Sequence, residues 1–496
     1  MIRGLFRFIF ATLRLFVRTL DFVVRGLFYA MLVFGVGMIV AFFFRPEPDI
    51  PAGSALLLRP GGAIVEQAVF DGPLDLLGSG GTPAGQNVLA DLLEAVRLAR
   101  DDARISALVI ETDQLLAGGF SKLGKLAPEA IDAHANDYRD ALAAAGGDGA
   151  LAARNAGLVD RFSTRDEWRA RLIERVGTKS HNGDPRMVDV DRYLAVARSK
   201  QPQHGEQVAV LVAQGAIVDG REPAGVVGGD TFAELIRAVR NDGQVKALVL
   251  RIDSPGGSAW ASEVIRRELE LTRKAGKPVI ASMSSVAASG GYWIAAGADE
   301  IWAAPATLTG SIGIFAMFPE FSEPLQRLGI NIDGVATAPL AGALDPRRPL
   351  SPAAAEAMQL GIEHGYRRFI DVVAKARDMK QGEVETVARG RVWLGAAASE
   401  LGLVDQTGGL EAAVAAAAAR AGLENYDVVW PEAGQSLQER LLRRLAGFAG
   451  QFGIELPQAA PSPLLRLLAE AQAPAAALLQ WNDPQHQYLH CLCEAP

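Results

Sequence analysis

Two stretches of this chain repeat each other without a gap. Glu94–Asp113 and Glu234–Asp253 align at an offset of 140, with the same residue at eight positions. Each has apolar residues at helical spacing and then a short apolar run, the pattern of an amphipathic helix leading into a buried strand. A second marker ends each unit: Ala156-Gly157-Leu158-Val159-Asp160 matches Leu401-Gly402-Leu403-Val404-Asp405. Asp253 to Gly402 spans 149 positions, whereas Asp113 to Gly157 spans 44. The first unit is therefore about 105 residues shorter and is expected to be unable to close a complete core. A chain of repeated strand–helix units is α/β with parallel pairings.

The second unit reads as such a run. Strands are expected at Val208–Val212, Ala247–Ile252, Val279–Met283 and Glu300–Ala303. Helices are expected at Phe232–Arg240, Ser258–Ala275, Ser289–Ala296 and Pro352–Asp378, and Thr309–Ile314 reads as a Gly-punctuated turn into a further strand. Ahead of both units, Leu27–Phe44 is 18 residues without a charge, just long enough to span a bilayer. Arg3, Arg7, Arg14, Arg18 and Arg25 precede it against the single acid Asp21, which puts the N-terminus in the cytoplasm and the bulk across the membrane. The rival is a cleaved signal peptide, but Arg45-Pro46-Glu47-Pro48 follows where a small-residue cleavage site would stand. The expected organisation is a basic amphipathic cytoplasmic segment (1–26), a transmembrane anchor (27–44), a truncated first repeat (51–178), a complete repeat (207–428) and an amphipathic, Pro/Ala-rich tail (431–496).

The net charge of −8 gives no reason to expect nucleic acid as a partner. Cys491 and Cys493, with one residue between them, are too close for an ordinary structural disulfide, so no disulfide framework is expected. The tail residues His486, His490, Cys491 and Cys493 have no loop geometry that makes a metal site, and neither a metal nor a cofactor is expected. Leu437–Phe452, with Arg440, Arg443 and Arg444, reads as a surface helix followed by a loose tail, with membrane lipid as the alternative contact.

The chemistry concentrates in two segments of the second unit. In Asp253-Ser254-Pro255-Gly256-Gly257-Ser258, two glycines let bare backbone N–H groups approach a developing oxyanion. In Ala287-Ala288-Ser289-Gly290-Gly291-Tyr292, a hydroxyl stands on a tight turn at a helix start. Serine is also a favoured N-cap, and alone Ser289 would be read that way. No Lys-Ser or Lys-Thr follows Gly256-Gly257, which argues against a phosphate loop. Similar amides in a crotonase-like acyl-CoA enzyme would hold a thioester, but a nucleophilic serine and a membrane anchor do not suit that chemistry.

These segments, with Thr309-Gly310-Ser311-Ile312-Gly313, Gly365-Tyr366-Arg367-Arg368-Phe369-Ile370 and Arg391-Val392-Trp393, resemble the motifs of the signal peptide peptidase A (protease IV) family in its long bacterial form. The resemblance covers roughly 85–428. It implies a duplicated Clp protease/crotonase-like fold and a serine endopeptidase of the inner membrane that degrades remnant signal peptides. It also implies a homo-oligomer with sites between subunits. It assigns the nucleophile to Ser289, the oxyanion hole to Gly256, Gly257 and Gly290, and the base-orienting hydroxyl to Ser311. The base it implies is a lysine. In the long form that lysine precedes a segment matching Leu126-Ala127-Pro128-Glu129-Ala130, and its surrounding motif is missing here. In the short form it follows the serine, where Ala336–Leu350 holds no lysine. Lys122 and Lys125 lie nearest the gap without the motif around them. The six histidines all lie away from these motifs in sequence. As written, the chain is expected to be a crippled peptidase: a nucleophile without its base.

Overall fold

The computed structural model describes residues 25, 26, 29, 50–69, 85–117, 138–179, 183–199, 201, 204–335, 337–338, 340–432 and 481–491. Met1–Ala52 and Gly53–Pro496 are separate compact units. Leu27–Phe44 lies outside the described residues apart from Tyr29, as do Lys122, Lys125, Leu126–Ala130 and Leu437–Phe452. Among the described residues, no helix is long and apolar enough to cross a membrane.

Within Gly53–Pro496 the centre is three parallel strands, Gln207–Gln214, Val245–Ser254 and Val279–Ala288, paired in that order. They are nearly unbroken runs of Val, Ile, Leu and Ala, the composition of strands covered on both faces. Alternate residues go to opposite sides. Ala209, Leu211, Leu248, Leu250 and Ala281 face a core with Ile236, Ile265 and Leu269. Val208, Val210, Val249 and Ile280 face the small residues Ala413 and Ala417 of the helix Leu410–Arg420. Parallel neighbours need crossovers, and the helices Gly229–Asn241 and Ala259–Lys274 supply them. The same sheet extends through Leu308–Gly310 to Val392–Leu394 on one side and ends at Asp427–Val429 on the other.

The repeated segments take the same form in both halves. Leu89–Arg100 and Gly229–Asn241 are the helices, and Ile105–Ile110 and Val245–Ser254 the strands that follow. In the first half, Ser54–Leu58 pairs in parallel with Ile105–Ile110 and with Met187–Asp189 in a sheet of three. A second small sheet joins Gly62–Val65 to Gln86–Val88 and Leu115–Ala117. Just past Gly62–Val65, Glu66 forms a buried ion pair with Arg251 of the central strand (2.7 Å). Arg251 also donates to Ser282 Oγ and to the Met283 carbonyl, both at 2.9 Å, and Ser284 donates to Glu66.

Three local readings are corrected. The strand expected to stop at Met283 runs on to Ala288, up to the residue before the serine. Ser284-Ser285-Val286-Ala287-Ala288 is too polar and small to read as a strand, yet it is wholly buried, because it changes partner. Ile280–Met283 pairs with Glu300–Ala303, and Val286–Ala288 pairs with Leu308–Gly310. The tail is not loose where it is described: Gln487–His490 is a strand. Cys491 is disulfide-bonded, so the sequence spacing misjudged its state.

Candidate active site

The parallel pairing of Ala288 with Gly310 sets Ser289 and Ser311 side by side at the ends of adjacent strands. The Ser289 N–H donates to the Gly310 carbonyl (2.8 Å), and the Ser311 N–H donates to the Arg391 carbonyl (2.7 Å). Both serines have positive φ, +55° and +50°, a region that residues with a Cβ seldom occupy. Ser289 opens the helix Gly290–Ala295, and its hydroxyl makes no capping bond to it. That removes the structural explanation of this serine, since an N-cap has extended backbone and accepts from the first turn. At six residues the helix carries little macrodipole, so its contribution is local: the N–H groups of its first turn lack intrahelical partners, Gly290 N–H among them.

The strand Gly256–Ser258 faces this turn. Gly256 and Gly257 have φ of +99° and +155°. A Cβ on Gly256 would lie 2.6 Å from the Gly290 nitrogen, and one on Gly257 would lie 1.9 Å from the Ile217 carbonyl oxygen. Only glycine permits the close approach of these backbones. The Gly256 N–H donates to Ser254 Oγ (3.1 Å), so Gly256 contributes conformation and closeness. Gly257 and Gly290 are the candidates to offer amides to a developing oxyanion, and in this structure the tail strand pairs Gly257 with Leu489. Ser258 then caps the helix Ala259–Lys274 by accepting from Ala261 N–H (3.1 Å).

A cleft of about 740 Å³ opens at the two serines, with Tyr366, Glu385, Arg389 and His490 among its walls. Tyr366 donates its hydroxyl to Glu385 (2.9 Å), and Arg389 pairs with the same carboxylate (3.0 Å). Burial, and then the neighbouring Glu385, pushes the Tyr366 phenol up to about 12, so it remains protonated at neutral pH. Burial holds the His490 imidazole below its ordinary range, partly offset by a hydrogen bond to the Gly256 backbone. Among the described residues no lysine lines this cleft. His490 lies away from every motif in sequence, yet the fold brings it to the cleft wall. Its strand is 200 residues from Ser289 in sequence, and only the pairing of the tail brings it here. Glu385 was also missed, because it reaches the cleft through a helical turn with no motif of its own.

The chain matches Peptidase family S49 over residues 272–424. Protease 4 of Salmonella typhi is 39% identical over 369 residues, which is 74% of this chain and 59% of that protein. Protease 4 of Haemophilus influenzae is 37% identical over 368 residues, with 72% and 59% covered. The chain thus spans about three-fifths of the length of these relatives. A protein described as a protease from Synechocystis sp. is 34% identical over 205 residues, which is 41% of this chain and 74% of that one. With motifs, α/β fold and relatives in agreement, the chain belongs to peptidase family S49.

Proposed function

We propose that this chain is a serine endopeptidase of the bacterial inner membrane that degrades remnant signal peptides, and that it works far below the capacity of its family. The observation that carries the reading is Ser289: a buried serine held at φ +55° without a capping role, beside Gly256 and Gly290. Its Oγ attacks a peptide carbonyl, and the Gly257 and Gly290 N–H groups take the charge that builds on the carbonyl oxygen. Ser311 stands where the hydroxyl that orients a base is expected. With no lysine lining the cleft among the described residues, the Ser289 proton lacks the acceptor that the resemblance implies, and losing the base removes most of the gain from a nucleophile–base unit. The fold is read as the Clp protease/crotonase type and the working form as a homo-oligomer; family membership supports both. Leu27–Phe44 is read as the anchor, with the bulk periplasmic; a reporter fused after Pro431 is then active only outside the cytoplasm, and cytoplasmic activity there contradicts it.

An activated apolar peptide ester tests the nucleophile, because its good leaving group relieves the need for a base. Intact-mass analysis is expected to show one acyl group per chain, mapped to Ser289 and missing in Ser289→Ala. An adduct that persists in Ser289→Ala overturns the assignment.

A further inference from the structure

The strand Gln487–His490 lies between two others and is antiparallel to both. On one side Gly256, Gly257 and Ser258 pair with His490, Leu489 and Tyr488. On the other, Phe315 and Ala316 pair with Tyr488 and Gln487. The two flanking strands are the segment with the oxyanion glycines and the segment that follows Ser311. The Cys491 N–H donates to the Pro255 carbonyl at 2.7 Å. In an antiparallel ladder that register makes Gly257 and Leu489 the next hydrogen-bonded pair. The Leu489 carbonyl oxygen would lie 1.9 Å from a Cβ on Gly256 and 3.0 Å from one on Gly290. The Leu489 side chain is fully buried in the main core, with Ile312 and Trp293 in the same cluster.

We infer that the C-terminal strand Gln487–His490 is a resident occupant of the peptide groove beside Ser289, and that peptides bind only when it leaves. A peptide substrate needs an extended backbone edge, a carbonyl at the Gly257 and Gly290 amides, and burial of the adjoining side chain. The tail takes all three. Main-chain pairing on both edges with one buried apolar side chain is the way an extended segment is recognised by strand addition. The tail is also fastened next to the groove. Asp483, itself buried, accepts from Ser258 Oγ (2.7 Å) and Trp260 N–H (2.9 Å), and Asn482 exchanges hydrogen bonds with the Asp219 backbone at 2.8 and 3.0 Å. An anchored tether keeps the occupant at high local concentration, so a free peptide competes poorly.

This inference rests on the reading of the cleft as a peptide site, and binding without turnover separates the two. The probe is a fluorescently labelled apolar peptide, with anisotropy measured on the full-length chain and on Leu489→Asp. The parent chain is expected to bind weakly. The variant is expected to bind tighter by on the order of tenfold or more, since a groove that is rarely empty weakens apparent affinity by its empty fraction. Amide exchange at Gln487–Cys491 reports whether the variant has released its strand and kept its core. A free peptide of the sequence Trp481–His490 should displace the probe from the variant. Equal affinity in parent and variant, with the strand shown to be released, overturns the inference alone. No binding by either, with the strand released, overturns the peptide site and the inference together.

Discussion

Ser289 is the residue at which local conformation and function pull apart. With φ +55° and ψ −112°, it holds a geometry that costs a non-glycine residue about 1–3 kcal/mol. Ser289→Gly should therefore raise stability by about 1 kcal/mol in urea unfolding, while ester hydrolysis is lost. A loss of stability of similar size would mean that the hydroxyl supports the fold after all. Ser289, Gly257 and Ser311 were legible in the sequence because what they do is local: a strained turn, a close backbone approach, a hydroxyl at a strand end. Glu66 and Arg251 were not. Their pairing crosses 185 positions, and nothing around either residue marks a buried ion pair.

Among the elements, the helices and central strands could be read because their periodicity is intrinsic to the segment. Pro352–Arg377 opens with Ser351 accepting from Ala354 N–H (3.2 Å) and a proline in the first turn, and it closes on Asp378 in the left-handed region. The strand Gln487–His490 could not be read, because four residues carry too little pattern and their meaning comes from the edges they join. It should also respond to pH. Docked, the His490 imidazole has its pKa lowered by burial; released, it returns to the ordinary imidazole value of about 6.5. The released tail therefore binds the extra proton, so docking is fully favourable above pH 6.5 and weakens as pH falls below it. Glu385, Arg389 and Tyr366 share the cleft and are already bonded to one another. Protection of the Leu489 amide, corrected for intrinsic exchange, should fall between pH 7.5 and 5.5 and recover on return. Protection that is constant across this range would contradict the assigned role of the imidazole.

At the scale of the molecule, the duplicated helix–strand pairs explain why two halves of unequal length share one topology at their centres. Among the described residues, the second half builds the eight-stranded sheet that carries the serines, and the first half builds small sheets of three strands. Counting positions between markers gives the halves their unequal lengths from the sequence alone. The central proposal is a serine nucleophile with oxyanion amides in the second half, in a cleft that no lysine lines among the described residues. The direct measurement is steady-state hydrolysis of an apolar peptide ester by the purified full-length chain, beside Ser289→Ala, Lys122→Ala and Lys125→Ala. An acceleration of roughly 10³–10⁴ over water at most is expected, abolished in Ser289→Ala and unchanged in the lysine variants. Turnover at ordinary protease rates that disappears in Lys122→Ala or Lys125→Ala would contradict it.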